Sequence, residues 1–178
     1  NGKTIIKEWL YQLLGDKFNI VRSPRSYNSQ SGVPLSVWQI NSQHNLGIFE
    51  AGISQPAEMQ RLQNIIQPLI GVLGFMGEAH AEGFSSFTEK INEKLKLFAT
   101  AQTLVYAEDD ERVHYAVLQF RDNVNPQLKL FGWSREHAAA LQVGKVERLP
   151  EQTLVHCQYN TVPFVFAIPF TDDASVYN

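Results

Sequence analysis

From Ile5 to Asp109, short apolar runs alternate with amphipathic stretches, and this alternation constrains the fold more than any other feature of the chain. "FNIVRSP" (18–24), "NLGIFEAGI" (45–53), "LIGVLGFMG" (69–77) and "TLVYAED" (103–109) read as buried strands. Helical spacing predicts helices over 4–14, 33–40, 55–67 and 84–98. Strands separated by helices pair in parallel, because a parallel connection needs a crossover, and such a sheet is covered on both faces. The expectation is an α/β fold of three layers: a mostly parallel sheet with helices on both faces. After residue 112 the character changes. "HYAVLQF", "LKLFGWS", "AALQVGKVERL", "TLVHCQYN" and "PFVFAIPF" read as strands of a mainly antiparallel β annex in the C-terminal third. The predicted organisation is one domain over 1–178, with an α/β part over 1–112 and a β-rich annex over 113–178.

Composition excludes several classes. A net charge of −3 gives no nucleic-acid footprint. No apolar run approaches the ~20 residues that a membrane helix needs. The single cysteine, Cys157, allows no internal disulfide, which fits a reducing, cytoplasmic setting. With 44% hydrophobic residues over 178 positions, the chain can bury a core without staples.

Four features carry chemistry. "NGKT" at the start is the back half of a phosphate loop of the form G-x-x-x-x-G-K-[ST]. In such a loop, backbone N–H groups wrap phosphate oxygens, lysine reaches the β/γ-phosphates and the hydroxyl faces Mg²⁺. A plain helix start capped by Thr4 is the alternative. Glu50, in "IFEAGISQP", stands at the C-terminal tip of a strand, where parallel sheets bind ligands; a solvated strand-end glutamate would look the same. His80, in "GEAHAEGF", follows a strand in the same way, as a metal or proton-transfer group or as a structural loop histidine. Lys94 shares a helix face with Phe87, Ile91, Leu95 and Phe98. A lysine on a core-facing stripe must snorkel, pair, or lose its charge, and one route to losing it is reaction of the neutral amine with CO₂ to give a carbamate.

"NGKT", "NSQSGVPLS", "FEAGISQPAEM", "GEAHAEGFSSF", "EKLKLF" and "IPFTDDASVYN" occur in one order along the chain. Together they resemble the central ATP-binding domain of the Mur ligases, and within that family the type that adds D-Ala-D-Ala to UDP-MurNAc-tripeptide. "IIKEWLYQLL" and "FNIVRSPRSYNSQ" are similar to the Bacteroidetes version, in which the ligase is fused to an alanine racemase.

The resemblance implies roles residue by residue. Asn1, Gly2, Lys3 and Thr4 would hold ATP, with Lys3 on the β/γ-phosphates and Thr4 on Mg²⁺. Glu50 and His80 match the family's metal-binding glutamate and histidine, and Lys94 its carbamylated lysine; Lys3, His80 and Lys94 are the implied catalytic groups. Asn178 resembles an asparagine that helps to hold the nucleotide. Asn28 and Ser29 lie in a loop that faces the muramoyl-peptide substrate in relatives. The implied partners are UDP-MurNAc-tripeptide, D-Ala-D-Ala, and the N- and C-terminal ligase domains of the same polypeptide, so the chain reads as an excised core, catalytic only within a larger ligase. Two departures stand out: Gly74-Phe75 replaces the family's usual Thr-Asn, and Ala51 replaces the methionine of E-M-G. A non-catalytic scaffold and a phosphate-loop kinase for small molecules are the competing readings.

Overall fold

The computed structural model describes residues 2–76 and 83–177. The chain divides into two compact units.

One unit holds residues 3–69 and 83–100 of the described chain. It comprises α1 (Lys3–Leu14), β1 (Ile20–Arg22), α2 (Gly32–Val37), β2 (Leu46–Ile48), α3 (Glu58–Ile66) and α4 (Phe87–Leu95), the last running into a 3₁₀ turn at Lys96–Phe98. Strands β1 and β2 pair in parallel, with Ile20 opposite Leu46 and Arg22 opposite Ile48. Val33, Met59 and Leu62 form the core cluster, with Val37, Ala51, Ile53, Ile66 and Leu97 packed around it. Ser86 caps α4, its hydroxyl accepting from the Glu89 N–H at 3.0 Å. Gly83 has a φ of +87°, and a Cβ there would lie 2.1 Å from the Ser54 carbonyl oxygen, so only glycine fits. Helix α1 departs from expectation. Its apolar positions do not form one buried stripe: Ile5 and Leu13 are exposed, and the one buried side chain is Lys7.

The other unit holds Gly2, residues 70–76 and residues 101–177 of the described chain. It is a six-stranded sheet in the order β3-β4-β5-β6-β7-β8. The strands are β3 (Ile70–Leu73), β4 (Thr103–Ala107), β5 (Lys129–Ser134), β6 (Leu141–Arg148), β7 (Thr153–Tyr159) and β8 (Val162–Ile168); α5 (Glu111–Asn123) connects β4 to β5, and α6 (Asp173–Tyr177) follows β8. Pairing is parallel from β3 through β6 and antiparallel for β6-β7 and β7-β8. The mixed α/β class with parallel and antiparallel strands therefore holds.

Two expectations are corrected. "HYAVLQF" is not a strand but the middle of α5. Its buried residues Val113, Ala116, Val117 and Phe120 recur at i, i+3, i+4 and i+7, and Asp110 caps the helix by accepting the N–H groups of Arg112 and Val113. Cap and helical period together outweigh the β-branched and aromatic content of the heptad. Strand β5 then pairs in parallel with β4, because a helix lies between them in sequence; β6 also pairs in parallel with β5, and antiparallel pairing begins at β6-β7. The β7-β8 hairpin turns through Asn160 and Thr161, both at positive φ, as a two-residue turn matched to strand twist requires. Cys157 is buried on β7, and burial pushes its thiol pKa up.

Candidate active site

Thr4, in the first turn of α1, meets Glu50 just beyond the end of β2. Its Oγ1 donates to Glu50 Oε2 at 2.7 Å. Asn28, from the loop after β1, donates Nδ2 to Glu50 Oε1 at 2.7 Å. Glu50 is 5% exposed, and its backbone N–H donates to Ser23 Oγ at 3.2 Å. A carboxylate this buried is tolerated because both oxygens accept hydrogen bonds. The strand-tip position follows from local pairing: Ser23 N–H donates to the Ile48 carbonyl at 3.1 Å, extending the β1-β2 ladder to the residue that holds Glu50. Gly52 N–H then donates to the Asn28 carbonyl at 2.7 Å, closing the two post-strand loops on one another.

Lys94 sits in the last turn of α4, half-buried. Burial first, then the positive charges of Lys3 and Lys90, brings its amine from the ordinary 10.5 down to about 8. Lys3 and Lys94 therefore lie within Coulombic reach of each other, and a second cation in a desolvated place favours an anion to neutralise the pair. The turn that carries Lys94 is anchored by its neighbour. Glu93 is buried, accepts the Met59 N–H of α3 at 3.2 Å through Oε1, and accepts Lys96 Nζ through Oε2.

Among the residues expected to share a site, Thr4, Glu50 and Asn28 are joined by hydrogen bonds, and Lys94 by the field of Lys3. Ser29 closes the turn into α2: its Oγ accepts the Gly32 N–H at 3.2 Å. Gly2 is described at positive φ, at the start of the chain. Asn1, His80 and Asn178 lie outside the described residues. Sequence reasoning missed Lys7 and Ser23, which brace the same loops. Neither left a side-chain signal, since both act largely through main-chain partners.

Among the described residues no three His, Cys, Asp or Glu side chains converge as a metal cluster. Thr4 and Glu50 nevertheless present hard oxygen donors in contact. Mg²⁺ is ordinarily held by one or two carboxylates plus substrate phosphates, so the donor set fits that ion.

The second unit has a cleft of its own, about 770 Å³, lined by Phe75, Asp109, Asp110, Arg112, Arg135 and Glu136. Phe75, one of the two departures noted above, is 58% exposed. The rim is ordered by Asp109, which accepts Ser134 Oγ and the Arg135 N–H. On β4, Tyr106 is buried and its hydroxyl lies 3.0 Å from His114 Nδ1; burial, then the Glu108 carboxylate, raises the phenol pKa.

Comparison with known proteins decides the family. The profile of the Mur ligase middle domain matches residues 1–178. The chain belongs to the Mur ligase middle-domain family. Among relatives, the UDP-N-acetylmuramoyl-tripeptide--D-alanyl-D-alanine ligase of Borreliella burgdorferi is 28% identical over 131 residues, which is 73% of this chain and 28% of that protein. The Bacillus subtilis ligase of the same name is 24% identical over 181 residues, covering 100% of this chain and 37% of its own length. Crystal structures of MurF share the fold. That from Acinetobacter baumannii has a TM-score of 0.85 at 18% identity, over 99% of this chain and 38% of that one. That from Thermotoga maritima, in complex with ADP, has a TM-score of 0.78 at 22% identity, over 94% and 38%. The matched part of this chain thus spans between 28% and 38% of the length of these relatives. Among its described residues, no helix is long and apolar enough to cross a membrane.

Proposed function

We propose that this domain is the ATP-using core of a ligase that joins D-Ala-D-Ala to UDP-MurNAc-tripeptide, acting within a longer polypeptide. The observation that carries the reading is the junction of Thr4, Asn28 and Glu50, drawn from three separate segments, beside the Lys3–Lys94 pair. The likeness to ligases with that substrate pair in their names supports the choice of substrates.

A carboxylate is a poor electrophile, since oxide leaves badly. In the proposed reaction the tripeptide's terminal carboxylate oxygen first takes the γ-phosphoryl group of ATP, the bond to the β-γ bridging oxygen breaks, and ADP leaves. The neutral amine of D-Ala-D-Ala attacks the carbonyl of the resulting acyl phosphate, the C–O bond to phosphate breaks, and the amine's lost proton leaves with the phosphate. The chain's work is positioning and charge neutralisation. Gly2 and Lys3, at the N-terminus of α1, offer backbone N–H groups and a cation to the phosphates. Thr4 and Glu50 would hold Mg²⁺, which when bound supplies further neutralisation of phosphoryl oxygens. Asn28 orients Glu50, and with Ser29 forms the substrate-facing loop. Lys94, as the neutral amine, would add to CO₂ through Nζ and lose one N–H proton to solvent, giving an anionic carbamate that with Glu50 and His80 would suit a second divalent ion. Asn1 and Asn178 complete the nucleotide contacts.

The test is Mg-ATP titration and phosphate release in the full polypeptide, against its Lys3→Ala form. Loss of turnover in the variant is the expected outcome; equal affinity and turnover would overturn the reading. For Lys94, ¹³CO₂ should give a carbamate resonance in ¹³C NMR that is absent from Lys94→Ala, and short carboxylic acids should restore activity to that variant. Failure of both removes the carbamate.

A further inference from the structure

Lys7 is 3% exposed, one helical turn beyond Thr4 on α1. Its amine has three donors and uses all of them. It donates to the Ser23 carbonyl at 2.7 Å, to the Arg25 carbonyl, and pairs with Glu8 Oε1 at 3.1 Å. Arg25 has a φ of +49°, a left-handed conformation unusual for a side-chain-bearing residue, and its carbonyl is one of those Lys7 holds. Beyond Arg25 the chain turns twice, with Tyr27 N–H donating to the Pro24 carbonyl and Asn28 N–H to the Ser26 carbonyl. That path delivers Asn28 to Glu50. Ser23, at the near end, receives the Glu50 backbone N–H.

One helix therefore grips Glu50 in two ways: directly through Thr4, and indirectly through Lys7 and the loop it clamps. We propose that Lys7 is a positioning residue that sets the Ser23–Asn28 loop, and through it the orientation of the Glu50 carboxylate. This rests on the ligase reading above, where Glu50 serves the metal and Asn28 the substrate loop. Lys7 touches no phosphate in this scheme. It acts on the chemistry by fixing where one carboxylate and one amide point.

The experiment is a double-mutant cycle in the full polypeptide, with Lys7→Met, Asn28→Ala and the pair. Lys7→Met lowers kcat by about tenfold to 10²-fold, the upper figure being what a misplacement of about 1 Å can cost. ATP affinity, measured by binding, stays within about twofold. In the Asn28→Ala background, the further loss on adding Lys7→Met is less than about twofold, because the two act through one loop. An undiminished loss in that background, or ATP affinity falling in step with kcat, overturns the proposal. Should Lys7→Met fail to fold, Lys7→Arg replaces a compact ammonium with a planar fork, and the same sub-additivity with Asn28→Ala is required of it. An absence of ATP-dependent ligation by the wild-type polypeptide would strike the ligase reading instead. The loop-setting role is then read from melting temperatures, where additive shifts for Lys7→Met and Asn28→Ala overturn it and sub-additive shifts support it.

Discussion

The two units differ in what they bury. Among the described residues, the fully buried charged side chains Lys7, Glu50 and Glu93 all belong to the unit containing α1 to α4. The six-stranded unit buries Leu104, Val117, Phe120, Val155 and Cys157, and its buried polar residues, Asn125, Ser134, Thr153 and Ser175, are neutral. Asn125 and Thr153 use their side chains to tie off backbone carbonyls, Asn125 to Ala101 at 2.8 Å and Thr153 to Phe170 at 2.6 Å. Such bonds hold a fold together. Charges held in the interior cost stability unless they are fully partnered, and even then seldom improve on an apolar core. Their concentration in one unit falls where the proposed function assigns the ligase chemistry.

The comparison can be broken by substitution. Glu50→Ala in the full polypeptide is expected to reduce turnover by about 10²–10³-fold, the range seen when a preorganised electrostatic group is removed. Its melting temperature should move little in comparison. Leu104→Ala, on β4, is expected to do the reverse, costing about 2–5 kcal/mol in denaturant unfolding while turnover per folded molecule is kept. If Leu104→Ala abolished turnover of folded protein, or Glu50→Ala unfolded the chain, the division would fail.

Smaller effects sharpen it. Asp110→Ala removes the cap of α5 and should cost about 1 kcal/mol with no change in turnover. Lys94→Met should change stability least and by an amount that depends on pH. Folding lowers the Lys94 pKa from 10.5 to about 8, so the folded state is penalised wherever the amine is charged in the unfolded chain. That penalty is complete below about pH 8 and is lost as pH rises to 10.5. Lys94→Met, measured with CO₂ excluded, should therefore raise the melting temperature by about 1–3 °C at pH 7, and the gain should vanish above pH 10.5. A gain that persisted at high pH would assign the effect to packing.

The parallel strands β1 to β4 were legible because each is a short apolar run set off by a helix; the parallel pairing of β5 and β6 was not. Thr4 and Glu50 were legible because motif and strand-tip position both mark them, and Lys94 because it breaks an apolar stripe. Helix α5 was hidden: "HYAVLQF" is apolar enough for a strand, and the cap, Asp110, lies outside that heptad. Ser23 was invisible for another reason. It acts through a hydroxyl that receives a backbone N–H distant in sequence, and backbone partners leave no trace in side-chain identity. Lys7 is similar, since two of its three acceptors are main-chain carbonyls.

The lone thiol of Cys157 has a practical use. It is shielded on β7 and carries a raised pKa, so an alkylating reagent reaches it as thiolate only when the hairpin opens. Pulsed labelling at this position, with every other residue native, would time the local opening of the antiparallel edge without any engineered probe.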